Sequence, residues 1–264
     1  GIFRYAVVKR ICEYNPVREI EKPKSKKKKK VDFLKPAEIR ALLAHADKPK
    51  DHKPTPIKGG KKKKPKIDPV AAKGFKTLLM LSIMSGLRQG EALGLKWTDI
   101  DWFNCQVHVQ RTFNHGRFFE PKSHTSNRSV DLGATVIKQL KKWKLSCPPT
   151  DLDLVFPNEV GNPIDDSHLR ARYFDPALRK AGLRKIRWHD LRHTYAALLI
   201  EQGEHPKYIQ TQMGHSSINV TMDTYGHLMN PVNKQASAKL DKTVFQENGD
   251  KMETKTGMAE NDGL

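Results

Sequence analysis

Two lysine-rich segments interrupt this 264-residue chain and restrict where a hydrophobic core can form. Residues 21–30 hold seven lysines and one glutamate, and residues 47–68 hold nine lysines and three aspartates, with few apolar side chains in either. Such segments bury too little apolar surface to offset the conformational entropy lost on folding, so we expect them to be flexible and solvated. The core must therefore come from the sequence between and after them.

The same two segments carry most of the excess charge. The formal net charge is +19 at pH 7, and each segment contributes +6 as seven minus one and nine minus three. Like charges at this density repel one another unless a polyanion is near, and nucleic acid releases counterions when its phosphates are neutralised. The charge therefore indicates nucleic acid, although a solvated loop or a nuclear-targeting tract would have the same composition.

Several classes of protein are excluded early. There is no run of about 18 apolar residues, so we expect no transmembrane helix and no membrane partner, and the first residues, GIFRYAVVKR, lack the apolar stretch of a secretory signal. The three cysteines, Cys12, Cys105 and Cys147, are odd in number and widely spaced. They exclude a disulfide framework and a cysteine-rich zinc module, and they favour a reducing, intracellular setting.

Hydrophobic periodicity predicts a mainly α fold with one small antiparallel β-sheet, an α+β class. Strands are predicted over 104–112 and 117–132, and residues 166–183 are either helical or two short helices interrupted at Pro176. The other predicted helices cover 34–46, 70–86, 88–97, 133–145, 187–203, 206–213, 217–228 and 231–245. We divide the chain into a remnant helix of a preceding domain (1–13), a basic linker (14–31), a main domain (32–245, with the flexible insertion 47–68) and a disordered tail (246–264).

Five separated elements contain residues suited to chemistry on an anion. They are Arg88 after a helix end, Lys122 in the predicted hairpin, His189 and Arg192 on one helix face, His215 after a glycine, and Tyr225 before another. Each has an ordinary structural explanation when it is taken alone. Arg88 could pair with Glu91, for example, and Tyr225 could belong to the core.

Together the five elements resemble the tyrosine recombinase (phage integrase) family. The matching segments are SGLRQGEALGL, PKSHTSNRSV, HDLRHTYAALLIEQG, MGHSS and TMDTYGH, in that order. The upstream segments NPVREIEKPK and FLKPAEIRALL are similar to that family's linker and first catalytic-domain helix. The resemblance covers residues 14 to 240, and it identifies 32–245 as a catalytic domain of the tyrosine recombinase fold.

The resemblance implies a role for each residue. Arg88 and Arg192 would clamp the scissile phosphate, and Lys122 would protonate the leaving 5′ oxygen. His189 and His215 would be the two active-site histidines, and Tyr225 the nucleophile that forms a 3′-phosphotyrosine. The resemblance further implies double-stranded DNA as substrate, a synaptic homo-tetramer, accessory directionality or DNA-bending proteins, and no metal or nucleotide cofactor. The setting would be the bacterial cytoplasm, with a phage or mobile-element origin.

Elementary chemistry makes these assignments reasonable. Two guanidiniums can each offer a planar fork to phosphate oxygens, which suits arginine better than lysine. A free tyrosine has a pKa near 10, so ionising it at pH 7 costs roughly 4 kcal/mol unless cations favour the phenolate and a histidine accepts the proton. A 5′ hydroxyl can later reverse the reaction without ATP, because the phosphotyrosine bond conserves the energy of the cleaved link.

Four neighbouring residues receive minor assignments. Tyr195 is the nearest rival nucleophile, but its apolar neighbours indicate packing. Glu91 is expected to orient Arg88. His193 would point at DNA or cover the helix end, and Arg128 would contact a backbone phosphate.

Three other functions remain open at this point. A zinc hydrolase could use His189 and His193, which are four residues apart on one helix face. A type IB topoisomerase would share the phosphotyrosine without exchanging partners, and a non-catalytic module would only bind DNA. Segment 231–245 could pack on its own chain or on a neighbouring protomer.

Overall fold

The computed structural model describes residues 2–18, 20, 32–46, 67–120, 127–229 and 236–245. The lysine-rich stretches 21–30 and 47–66, Lys122 and the tail 246–264 lie outside these residues. The described part is mainly α with small antiparallel sheets, which confirms the predicted fold class. None of its helices is long and apolar enough to span a bilayer.

The helices follow the predicted order. A 3₁₀ turn at Trp97–Asp99 follows the short α4, which ends sooner than predicted, and another at Gly226–Leu228 follows α10. The α-helices of the described part are α1 Ile2–Val8, α2 Pro36–His45, α3 Pro69–Ser85, α4 Gln89–Leu93, α5 Ala134–Lys144, α6 Asp166–Leu169, α7 Asp175–Lys180, α8 His189–Glu201, α9 Pro206–Met213, α10 Ile218–Tyr225 and α11 Ala236–Phe245.

The central helix α3 has clear signals at both ends. Asp68 caps its start, with Oδ1 accepting hydrogen bonds from the N–H groups of Val70 and Ala71, and the left-handed Gly86 ends it. Its side chains are largely buried, and it packs against α5 and α8. The well-defined C-terminal end of α3 sets the position of the loop that carries Arg88.

The strands form two sheets rather than the single sheet that we predicted. They are β1 Ile100–Asp101, β2 Gln106–Val109, β3 Thr112–Asn114, β4 Arg117–Phe119 and β5 Arg128–Asp131. An antiparallel sheet has the order β1-β2-β5, with the buried Val107 opposite the buried Val130. Among the described residues, β3 and β4 pair with each other in a separate two-stranded sheet, since residues 110–111 leave the ladder after β2. All side chains of β4 are exposed.

The segment 166–183 is helical, but its irregularity does not lie at Pro176. A π-helical turn, Arg170–Phe174, joins α6 to α7, and Pro176 lies in the first turn of α7. The π turn runs directly into α7, with the Asp175 N–H donating to the Arg170 carbonyl, and Pro176 has no N–H to add to this ladder. Of the two predicted alternatives, the helical one therefore holds and the interruption at Pro176 does not, because the irregularity is the π turn that precedes the proline.

A second, smaller core holds the C-terminal helices together. Helix α9 ends at the left-handed Gly214, and Ser217 caps α10. The described side chains of α11, residues 237–244, are all exposed. The buried residues of this core come from α8, α9 and α10: Tyr195, Ala196, Ile200, Ile209, Met213 and Tyr225. This core brings the end of α10 to α8.

Candidate active site

Arg88 lies at the start of α4, directly after the tight turn that ends α3. Gly86 has φ +62°, and a Cβ at this glycine would lie 2.5 Å from the ring of Tyr195. Glu91 accepts hydrogen bonds from the Arg88 backbone N–H at 2.8 Å and from its Nη1 at 2.7 Å. The side chain of Arg88 is 40% exposed. These contacts confirm the predicted pairing of Arg88 with Glu91.

Arg192 lies on α8 and is almost completely buried. Its Nη1 donates to the carbonyl of Gly86 at 2.6 Å, and its Nη2 donates to the carbonyl of Met213. Burial, followed by the charges of Arg88 and Arg128, lowers the pKa of Arg192 to about 9, so its side chain remains cationic at pH 7. Arg192 thus joins the end of α3 to the end of α9.

The C-terminal turn of α9 brings the two predicted clamp arginines together. Arg88 Nη2 donates to the carbonyl of Gly214 at 3.3 Å, next to the Met213 carbonyl that Arg192 uses. The last carbonyls of a helix have no intrahelical partner and carry negative partial charge, so they attract guanidiniums. Both arginines therefore meet beside His215.

Tyr225 ends α10 and is only 1% exposed. Its hydroxyl lies 2.6 Å from Nδ1 of His193, and its ring stacks on that of His215 with 6.4 Å between centroids. The ring of His193 in turn meets that of His189 edge-on at 5.0 Å. The structure therefore brings Arg88, His189, Arg192, His215 and Tyr225 together within one chain.

Burial controls the protonation of the phenol and the two histidines around it. Burial raises the pKa of Tyr225 to about 12, against the opposing charge of Arg192, so ionisation at pH 7 costs roughly 7 kcal/mol. Burial also lowers the pKa of His193, and burial with the charge of Arg192 lowers that of His215 to about 4. Both imidazoles are neutral at pH 7, and in the Nε2-protonated tautomer Nδ1 of His193 accepts the Tyr225 hydrogen bond.

Tyr195 has a different environment from Tyr225. It is buried against Gly86, and its hydroxyl lies 3.4 Å from the Gln212 side chain. Burial, followed by the charges of Tyr208 and Asp131, raises the pKa of Tyr195 above its ordinary value. These observations agree with the interpretation of Tyr195 as a packing residue.

Arg128 and Lys122 complete the predicted set. The phosphate contact predicted for Arg128 is not favoured by the structure, because its guanidinium is buried against Glu91 and the carbonyl of Gln212. Lys122 lies outside the described residues, so its role remains a prediction. His193, which we expected to point at DNA or to cover a helix end, contacts the Tyr225 hydroxyl instead.

Two further contributors were not identified from the sequence. Thr221 is fully buried and its Oγ1 lies 2.9 Å from Nδ1 of His215, while Gln212 supplies the carbonyl that binds Arg128. Each contact joins a helix residue to a residue outside that helix, so no periodic pattern within one element predicts it. The zinc alternative has no support in the described ranges, where no three His, Cys, Asp or Glu side chains form a possible metal site.

Residues 32–230 match the sequence profile of the phage integrase family. The chain is 31% identical over 258 residues to the ICEBs1 integrase of Bacillus subtilis strain 168, covering 91% of this chain and 62% of that protein. It is 34% identical over 180 residues to a tyrosine recombinase XerC-like protein of Caldanaerobacter subterraneus subsp. tengcongensis, covering 59% and 46%. The chain thus spans about half to three-fifths of the length of these relatives.

Solved structures share the fold. The Tn1549 transposon integrase in complex with a circular intermediate DNA superimposes with a TM-score of 0.65 at 20% identity, covering 91% of this chain and 75% of that one. The XerH site-specific recombinase bound to difH substrate gives a TM-score of 0.57 at 23% identity, covering 93% and 64%. At these identities the likeness concerns the fold alone.

Proposed function

This chain belongs to the phage integrase family, and on that premise we propose that it is a site-specific DNA recombinase. It cleaves and rejoins double-stranded DNA through a 3′-phosphotyrosine intermediate. The observation that carries this proposal is the convergence of Arg88, Arg192 and Tyr225 around the end of α9. A cationic clamp beside a phenol and neutral imidazoles is suited to attack on a phosphodiester.

The charge balance of the site favours an anionic ligand. Arg88, Arg128 and Arg192 contribute three positive charges and Glu91 one negative charge, which leaves +2 as three minus one. The lowered pKa of Arg192 reflects burial and the repulsion from the other two guanidiniums, and a phosphodiester would relieve that repulsion. Donors preorganised around developing negative charge usually supply the largest part of catalysis.

The proposed cleavage step is a transesterification at phosphorus. The Tyr225 oxygen attacks, a phosphorus–oxygen bond to the tyrosine forms, and the bond to the 5′ oxygen breaks. His193 Nδ1 takes the phenol proton, since it already lies 2.6 Å from the oxygen. Lys122 donates its own proton to the leaving 5′ oxygen, which departs as a hydroxyl. We assign to His215, held by Thr221, a hydrogen bond from Nε2 to a phosphate oxygen.

Rejoining runs the same step in reverse with a 5′ hydroxyl from a partner strand, so neither ATP nor a nucleotide cofactor enters the proposal. Because Tyr225 is buried, α10 has to shift before the hydroxyl reaches DNA. Strand exchange would take place in a homo-tetramer, with accessory directionality or DNA-bending proteins. The setting would be a bacterial cell that hosts a phage or mobile element.

A nicked suicide substrate tests the function. The chain is incubated with nicked attachment-site DNA, and a denaturing gel detects any covalent DNA–protein adduct. We expect an adduct with the unmodified chain, none with Tyr225→Phe, and a normal amount with Tyr195→Phe as the matched buried tyrosine. An adduct that survives Tyr225→Phe, or none from the unmodified chain on confirmed cognate DNA, would contradict the proposal.

A further inference from the structure

Three consecutive carbonyls at the end of α9 each bind a different arginine. Arg128 Nε donates to Gln212 at 2.9 Å, Arg192 donates to Met213, and Arg88 donates to Gly214 at 3.3 Å. The second and third of these arginines are the proposed phosphate clamp. Arg128 therefore binds the same turn, residues 212–215, that both clamp arginines bind.

Glu91 links Arg128 to the clamp a second time. Its Oε1 accepts from Arg88 Nη1 at 2.7 Å and from Arg128 Nη1 at 3.1 Å, and its Oε2 accepts from Arg128 Nη2 at 2.9 Å. Burial alone would raise the pKa of Glu91, but the hydrogen bonds and charge of Arg128, then the charge of Arg88, lower it to about 2. Glu91 thus remains an anion shared by two guanidiniums.

Arg128 is enclosed by protein. Its side chain is 4% exposed, and a Cβ on Gly214 would lie 2.8 Å from its Cδ. It is the first residue of β5, whose last residue, Asp131, binds the side-chain amide of Gln212 at 2.9 Å. The sheet is therefore tied to the last turn of α9 at both ends of β5.

We propose that Arg128 is a positioning residue for strand cleavage, acting through Glu91 and the 212–215 turn. It holds Glu91 against Arg88 and keeps the two clamp guanidiniums beside His215 and Tyr225. It does not itself contact DNA. This proposal rests on the proposed recombinase function.

The experiment separates positioning from phosphate binding in two variants of the full chain. Arg128→Lys keeps the charge but cannot offer a fork to Glu91 while also reaching the Gln212 carbonyl, and Arg128→Met removes both contacts. Each variant is measured for DNA affinity across a salt series, for the rate of adduct formation at saturating nicked DNA, and for thermal unfolding. Arg128→Lys is the variant to follow if Arg128→Met does not fold.

Arg111→Met is the matched control. Arg111 forms a similar ion pair with the buried Asp99, and its other hydrogen bond is to the side chain of Gln110. This control measures what the loss of a buried ion pair does to the rate through stability alone.

We expect both Arg128 variants to keep the salt dependence of the unmodified chain while their adduct rate at saturating DNA falls by roughly 10²-fold. The control should lose thermal stability but keep its rate. In Arg128→Met, a salt slope lowered by about 1 with an intact rate would mean a phosphate contact and would overturn the proposal, and so would an intact rate in Arg128→Lys, which keeps the charge. A rate loss no larger than that of the control at equal loss of stability would overturn it as well. The absence of any adduct from the unmodified chain would instead contradict the recombinase function itself.

Discussion

The hydroxyl oxygen of Tyr225 lies 2.6 Å from Nδ1 of His193, a residue 32 positions earlier in the chain. Tyr225 is the last residue of α10, and His193 lies on α8, one position after the buried Arg192. Because His193 is neutral at pH 7 and Tyr225 is protonated, the contact places a proton acceptor on the proposed nucleophile before DNA arrives. The ring of His189 meets that of His193 edge-on at 5.0 Å.

Replacing His193 should slow cleavage more than it weakens DNA binding. We expect His193→Gln to lower the rate of adduct formation on nicked DNA by about 10²-fold, the lower end of the usual contribution of a positioned base. In the unmodified chain the rate should be flat near pH 7 and should fall as His193 becomes protonated, at a pH below its ordinary value of about 6.5 because burial lowers its pKa. Single-turnover rates between pH 4.5 and 8 measure both effects.

The matched control for that experiment is His108→Gln, because Nδ1 of His108 makes a similar 2.9 Å contact with Ser129 away from Tyr225. This control should keep the normal rate and the normal acid limb. If His193→Gln retained the wild-type pH profile, the proton would have to go elsewhere.

Acid should remove a definite part of the stability through Glu91. Its pKa is about 2 in the folded chain against an ordinary 4.5, so its contribution is complete above pH 4.5 and is lost as the pH falls toward 2. That difference corresponds to roughly 3 kcal/mol of unfolding free energy. Urea unfolding at pH 2 to 6 should show the gap between the unmodified chain and Glu91→Gln shrinking by about this amount. A constant gap across this range would contradict the buried pairing, and Glu201→Gln on the exposed side of α8 serves as the control.

Gly214 should tolerate alanine less well than another helix-ending glycine. Gly214 and Gly203 both have positive φ, +61° and +81°, but a Cβ on Gly214 would meet Arg128 while one on Gly203 would meet nothing within 4 Å. Gly203→Ala should cost about 1–2 kcal/mol of stability from the left-handed backbone and leave the adduct rate unchanged. Gly214→Ala should cost more and slow the rate about tenfold, since small displacements of catalytic groups reduce rates strongly. Equal effects of the two substitutions on the rate would argue against the role of the 212–215 turn.

The lysine-rich insertion should add affinity without specificity. Replacing the four lysines at 61–64 by glutamine should weaken binding equally to cognate and random DNA. The slope of log affinity against log salt should fall in magnitude by up to ~3.6, at ~0.9 for each phosphate that the lysines neutralise. The same four positions changed to arginine keep their charge and should bind normally. A loss confined to cognate DNA would show that the segment reads sequence.

Local signals predicted the elements well where the physics is local. Helix α9 has the predicted bounds 206–213, because Pro206 suits a first turn and Gly214 a left-handed end. Where the outcome depended on distant partners, the predictions were less accurate. The strands divided into two sheets, and the sequence left open whether 166–183 was one helix or two, whereas the structure has a π turn before Pro176. Strand pairing and π turns are decided by how neighbouring elements pack.

The sequence by itself determined the family and the mainly α fold, and it predicted Arg88, Arg192, His189, His215 and Tyr225 as candidate site residues. Each of these follows from residue types in a fixed order and from periodicities that repeat within a few positions. Only the tertiary structure decided that His193 binds Tyr225 and that Arg128 binds Glu91. Such contacts join residues far apart in the chain, and their geometry depends on helix and sheet packing that is summed over the whole core, so no local pattern records them.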